Sequence, residues 1–426
     1  MKLFLTLILL GQILMATRIE TIEVEGTLVP LIFEEDTRLP LTTTQIIFTN
    51  SGSIKNTEIA GLASLSAKLL NEGTKNLGST AFAEALESKA IGLGAHAGVE
   101  TFVIEVSGLK EQYDEGMNRV TELLGDPNYS EETLTKLKTM TLGGLSKKES
   151  DFDYIASNEL KNLLFEGGVL GKPASGTQES VKGITLGDIE LFIQSNLVRE
   201  KAIVVVGGDV DINAVKEKIK TLLLTLPKGE KEELTHFEVR QKPTTSLLKR
   251  ETEQAYIYFG APYHVREESE DFYKAKVATF ILGTGGFGSR LMEEIRVKRG
   301  LAYSAYARVH ASKSSNYLTG YLQTKLESMD EAKQTVKDVI AAFVKKGVTK
   351  EELEQTKKFL LGSEPLRVET MSQRLNRTFM EYYRGFPLGH SEAELQKIKE
   401  LKLADLNAFI KEHKEILELT FAIVTK

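Results

Sequence analysis

One pattern is written twice in this chain. Ser130-Glu-Glu-Thr-Leu134, running on to Leu142-Gly143, lines up with Thr349-Lys-Glu-Glu-Leu353, running on to Leu361-Gly362, 219 residues later. Ile184-Thr-Leu-Gly-Asp188, followed by Phe192-Ile193, lines up with Leu401-Lys-Leu-Ala-Asp405, followed by Phe409-Ile410, at an offset of 217. Amphipathic helices look alike, but two matches at nearly one offset argue for duplication. A duplicated chain is constrained to two similar domains, and 426 residues are enough for each to bury its own core.

Both halves read in one order. A strand comes first, at 44–50 and at 255–260. A helix pair follows, at 58–71 and 80–90 in the first half and at 271–282 and 289–297 in the second. Next come alternating strands at 94–108 and 302–323, as in Thr101-Phe-Val-Ile-Glu-Val-Ser107. Long amphipathic helices are predicted at 113–124 and 130–148, then at 329–345 and 350–363. Each half closes on a helix and a strand, at 186–195 and 202–208, then at 403–412 and 419–425.

Strands set apart from runs of helices predict an α+β fold. Each domain should be a mainly antiparallel sheet with helices packed on one face. The polar stretch 229–243, rich in charge and with Pro227 and Pro243 about its ends, is the expected linker between domains at 19–228 and 244–426.

The N-terminus predicts export. Lys2 precedes an apolar run from Leu3 to Met15, and Ala16 offers a small residue before Thr17-Arg18. That is the outline of a signal peptide over 1–16, too short for a comfortable membrane span. No second segment is long and apolar enough to span. With a net charge of −6 there is no basic footprint for nucleic acid. With no cysteine, disulfides, thiolate catalysis and Cys-ligated metals are excluded.

Two stretches carry candidate chemistry. In the second half, Gly283, Gly285, Gly286 and Gly288 precede Ser289, a good N-cap residue with Glu293 near the capping-box position. A phosphate-cradling loop would need a Gly-Lys-Ser/Thr ending after a strand; a tight turn between helices is the better reading of these glycines. Farther on, Arg296 and Tyr303 stand seven residues apart around Gly300-Leu-Ala. Such a turn could aim a guanidinium and a phenol at one spot, where both can donate to a peptide carbonyl. Spacing alone fits a surface arginine and a half-buried tyrosine better.

Ser289-Arg-Leu-Met-Glu-Glu-Ile-Arg296-Val-Lys-Arg-Gly-Leu-Ala-Tyr303 closely resembles the C-terminal-domain motif of the pitrilysin-type (inverzincin) metallopeptidases. That family includes mitochondrial processing peptidase, the core subunits of the respiratory bc1 complex and bacterial two-chain peptidases. Gly61–Thr74, Gly92-Leu-Gly-Ala95 and Val204-Val-Val-Gly-Gly-Asp209 resemble its N-terminal domain, so the likeness spans the whole mature chain. It implies two similar domains facing each other across a clam-like cleft.

The departures bear on function. Family zinc sites use two histidines on one helical turn with a glutamate as general base. Carried onto Gly61–Thr74, those positions are Ser64, Ala67 and Lys68; a third ligand, a glutamate on a later helix, falls near Gly144. Serine and alanine are poor zinc ligands, and Lys68 puts a cation where the metal would sit. The six histidines contain no close pair. Nearby Glu72 reads as a solvated helix-end carboxylate. The chain itself is therefore expected to bind no cofactor.

In the family's two-chain enzymes, the metal-free subunit supplies the Arg-Tyr pair opposite its partner's zinc. The resemblance thus implies a non-catalytic, substrate-positioning subunit of a heteromeric zinc metalloendopeptidase acting on peptides or unfolded polypeptides. Zn²⁺ would sit in a homologous partner subunit, in a heterodimer or, failing that, a homodimer. A peptide-binding or assembly protein on a retired scaffold is the alternative, and an active zinc peptidase with non-standard ligands ranks below both. Export places the protein in the periplasm.

Overall fold

A computed structural model describes residues 17–426; the expected leader, 1–16, lies outside them. The chain divides into two compact units. One comprises the residues up to Leu145, Pro173–Glu233 and Arg367–Tyr383; the other comprises Ser146–Lys172, Leu234–Leu366 and Arg384–Lys426.

The first unit is built on six strands: β1 (Arg18–Val24), β2 (Thr27–Glu35), β3 (Leu41–Thr49), β4 (Gly92–Ala97), β5 (Thr101–Leu109) and β6 (Ala202–Gly208). They lie in the order β1-β2-β6-β3-β5-β4, and only β2 and β6 pair in parallel. β6 reads Ala-Ile-Val-Val-Val-Gly-Gly and is buried throughout, as a central strand covered on both faces must be. On one face Phe33, Phe48, Phe102, Ile104 and Val206 pack into the main core with the helices Leu62–Leu70, Tyr113–Gly125, Leu186–Asn196 and Ile212–Thr225.

The second unit carries β7 (Thr245–Lys249), β8 (Gln254–Pro262), β9 (Ala302–Ala311), β10 (Asn316–Lys325) and β11 (Thr420–Thr425) in the order β7-β11-β8-β10-β9. Again one pair is parallel, β7 with β11. The order repeats β2-β6-β3-β5-β4 strand for strand. Ile257, Phe259, Leu322, Phe421 and Ile423 form its core with the helices Phe272–Thr279, Met329–Lys346 and Leu403–Glu412.

Each sheet also has a helix on its opposite face, and that helix comes from the other half of the sequence. Helix Met371–Arg384 sets Leu375 and Phe379 against Ile32, Ile47, Val103, Ile203 and Val205 of the first sheet. Helix Phe152–Leu164 sets Leu160 and Leu164 against Tyr317 and Ala422 of the second. The helices start at Phe152 and Met371, 219 residues apart, the spacing of the sequence repeat. The exchange is therefore reciprocal. Cutting the sequence once between 228 and 244 does not reproduce the compact units. The expected linker is also docked in part, since Val239 is buried beside Leu160 and Leu164.

Candidate functional site

The stretch that resembles a zinc helix is a helix, Leu62–Leu70. It starts at Gly61, which holds φ +90; a Cβ there would stand 2.9 Å from the Gly176 Cα, so glycine is required on both counts. Ala63, Leu65, Ala67, Leu69 and Leu70 are buried in the first unit's core. Ser64 and Lys68, four apart and so on one face, are only partly covered. The Lys68 ammonium donates to Thr141 Oγ1 at 2.9 Å, reaching the helix Glu131–Lys148. On that helix Gly144 is exposed, and a Cβ built on it would meet nothing within 4 Å.

The four positions therefore offer a hydroxyl, a methyl, an ammonium and no side chain. Zn²⁺ needs thiolate, imidazole or carboxylate donors, so these residues do not fit it. Among the described residues, no three His, Cys, Asp or Glu side chains gather where they could hold a metal ion.

Two neighbours differ from expectation or extend it. Glu72 is not simply solvated: it accepts from Ser79 Oγ at 2.6 Å and pairs with Lys136 at 2.9 Å. Burial pushes its carboxyl pKa up, but those two partners outweigh burial and hold it below the usual range. Asn71 donates to the Ala95 carbonyl at 2.9 Å and accepts from the Ala95 N–H at 2.6 Å. β4 is the edge strand of its sheet, so this side chain closes the edge at Ala95 as a neighbouring strand would.

Arg296 and Tyr303 lie in the second unit, and there the structure brings them together. Arg296 sits in a wide helical turn, Glu293–Lys298, with i→i+5 bonding, a form often found at functional positions. Gly300, at φ +63, ends it with nested bonds: Gly300 N–H to the Arg296 carbonyl at 3.1 Å, and Leu301 N–H to the Ile295 carbonyl at 2.8 Å. β9 begins at once with a bulge. Ala302 pairs with Thr324 and Ala305 with Leu322, leaving Tyr303 and Ser304 opposite one residue. The extra residue re-aims the strand. Without it, alternation from buried Ala302 would turn Tyr306 into the core.

Across this turn the Arg296 guanidinium carbon stands 4.3 Å from the centre of the Tyr303 ring. On Phe287 the same group lies 4.6 Å from the ring centre. Tyr303 is 82% exposed and Phe287 70%. Tyr303 is thus not the half-buried residue that spacing favoured. Stacking engages the faces of a guanidinium and leaves its in-plane N–H groups free to donate.

The glycines divide the labour around Phe287. Gly283 lets its helix press on β9, since a Cβ there would lie 2.3 Å from the Ala307 nitrogen. Gly286 and Gly288, at φ +62 and +97, turn the chain on either side of Phe287. The loop links two helical segments, as the turn reading has it. Ser289 does not cap by its side chain: its Oγ is buried and has no partner among the described residues.

The family profile described as "Peptidase M16 inactive domain" matches residues 183–360. A protein of Helicobacter pylori, strain ATCC 700392 / 26695, called non-peptidase homolog YmxG, is 44% identical over 427 residues, covering all of this chain and 99% of that one. The chain belongs to the peptidase M16 family. This M16 chain is also 24% identical, over 78% of its length and 80% of the relative's, to a Bacillus subtilis protein called an uncharacterized zinc protease YmxG. In fold it matches a crystal structure described as a peptidase M16 inactive domain from Pseudomonas fluorescens. The TM-score is 0.88 at 22% identity, over 96% of this chain and 98% of that one.

Proposed function

We propose that this M16 chain is the non-catalytic, substrate-positioning subunit of a heteromeric zinc metalloendopeptidase that cleaves peptides or unfolded polypeptides. The observation that carries the reading is the exposed Arg296–Tyr303 stack, which the fold builds with a Gly300 helix end and a strand bulge. The guanidinium N–H groups and the phenol can hold a peptide carbonyl, and the oxyanion formed from it, in a fixed place. Zinc and the activated water would come from a homologous subunit, because Ser64, Ala67, Lys68 and Gly144 cannot supply a site here. The apolar run at 3–15 supports export to the periplasm.

The test is reconstitution with a zinc-bearing homologue from the same genome. Peptide cleavage by the mixture should fall when Arg296→Ala or Tyr303→Phe is introduced in this chain, with the zinc-bearing subunit unaltered. Cleavage indifferent to both changes would refute the positioning role.

A second reading, a peptide-binding or assembly protein without any hydrolytic partner, draws support from Phe287. Its exposed ring lies 4.6 Å from the Arg296 guanidinium carbon, and an exposed apolar ring beside that group suits holding a chain as much as catalysis on it. Binding of peptide without cleavage in every reconstituted mixture would favour that reading.

A further inference from the structure

Beyond the Arg296–Tyr303 pair, the second sheet carries a row of tyrosines that neither reading uses. Tyr306 on β9, Tyr321 on β10 and Tyr258 on β8 are direct cross-strand partners. Their flanking residues Ala305, Ala307, Leu322, Ile257 and Phe259 face the core, so the three rings stand on the opposite side. The Tyr258 and Tyr321 ring centres are 4.8 Å apart and those of Tyr306 and Tyr321 5.7 Å. Tyr306 is 36% exposed.

One carboxylate lies against this row. Asp153, in the first turn of helix Phe152–Leu164, accepts from the Tyr258 hydroxyl at 3.3 Å. Among the described residues no lysine, arginine or histidine pairs with it. Burial raises its pKa, the phenols of Tyr321 and Tyr258 offset this only in part, and Asp151 adds to the rise. Arg308, two residues on from Tyr306 along β9, acts on that phenol yet does not pair with Asp153; an anion beside three rings with no paired cation is an arrangement that binding of a cation would complete. It is no metal site, because among the described residues no three metal-ligating side chains gather there.

We propose that Tyr258, Tyr306, Tyr321 and Asp153 form a subsite for the ammonium or guanidinium of a lysine or arginine side chain in a bound peptide. The placement along the chain rests on the positioning role of Arg296 and Tyr303. Tyr303 and Tyr306 are three residues apart on β9, the edge strand of the sheet, but the bulge takes up one of the three, so they stand about two strand rises apart, roughly 7 Å. A peptide lying along β9 with one carbonyl on Arg296 and Tyr303 therefore sets a basic side chain about two positions away over the tyrosines.

The experiment uses the full chain and two extended peptides, identical except for lysine or glutamine at one position, with affinity read by fluorescence anisotropy. The lysine peptide should bind on the order of tenfold more tightly, the reach of a partly desolvated cation–π and charge contact. Asp153→Asn should bring the ratio close to one, chiefly by weakening the lysine peptide; Tyr306→Leu should lower the ratio. Arg296→Ala should weaken both peptides alike. A preference for lysine that survives Asp153→Asn would overturn the assignment, as would no preference in the wild type.

Nα-acetyl-lysine N-methylamide, followed by saturation-transfer NMR, separates this site from the Arg296 reading. If neither peptide binds yet the amide still binds in an Asp153-dependent way, the carbonyl-holding role falls and the cation subsite stands. If the amide shows no dependence on Asp153, the subsite falls whatever the peptides do.

Discussion

Lys68 and Thr141 are joined across two helices, ammonium to hydroxyl at 2.9 Å. The bond fixes a positive charge between helices Leu62–Leu70 and Glu131–Lys148, and an ammonium is no zinc donor. Prolonged chelation is therefore expected to leave the melting temperature and peptide affinity of the isolated chain unchanged. Differential scanning calorimetry before and after dialysis against EDTA checks this. A drop that one equivalent of zinc reverses would show a metal site that these side chains do not provide.

The exchanged helix Met371–Arg384 is tied down by charge as well as by apolar contact. Arg374 donates twice to Glu34 Oε1, at 2.9 and 2.5 Å, and Glu34 is 1% exposed. Arg374→Ala would leave that buried carboxylate without its cation, held among the described residues only by the Thr17 hydroxyl at 2.5 Å. Losing one partner of such a pair costs about 3–5 kcal/mol, and urea unfolding should report it. Replacing both residues, with Glu34→Gln and Arg374→Met, should cost less than Arg374→Ala alone.

Acid should loosen the second unit through Glu352. Burial pushes its pKa up, yet the Arg290 guanidinium and the Thr349 cap outweigh burial and hold it below 4.5. A carboxylate whose folded pKa is depressed stabilises fully above its unfolded pKa and loses that contribution as pH falls through the folded value. The gap in melting temperature between wild type and Glu352→Gln should be constant above about pH 5 and shrink below about pH 4.5. A gap independent of pH would rule out the ion pair as its source.

Asn71 closes an otherwise open strand edge. In Asn71→Leu the Ala95 N–H loses its acceptor, and a hydrogen bond of this kind contributes about 1 kcal/mol. Hydrogen exchange at Ala95 should then speed up by roughly fivefold, with β5 amides unaffected. Equal exchange in both proteins would mean that the edge is protected by something else.

The sequence carried the duplicated order of elements because that order rests on local periodicity. β6 and the helix Leu403–Glu412 fall at their expected bounds. The helix that carries Ser64, Ala67 and Lys68 was equally legible, since it lies within the stretch 58–71 read from its apolar spacing. Three features were not. The exchanged helices look like any amphipathic helix, and nothing local says which sheet Leu375 or Leu160 will cover. The bulge at Tyr303 depends on register with β10, so exposure of that ring could not be read from the alternation of its own strand. Asp153 meets Tyr258 across 105 residues, a contact that exists only because a helix crosses between halves. Glu72 and Ser289 were misjudged for a related reason: their surroundings come from Lys136 and from the packed loop.

The reciprocal helices also bear on how such a chain could arise and be divided. A half made alone would leave Ile32, Ile47, Val103, Ile203 and Val205 bare on one side of its sheet. A single ancestral copy could cover that surface only by folding its own helix back or by borrowing one from a second copy. Fusion of two copies would turn a trade between molecules into a trade within one. By the same logic, two fragments cut within 229–243 should each be insoluble alone and regain a native fold when refolded together, a split protein held by its own crossed arms.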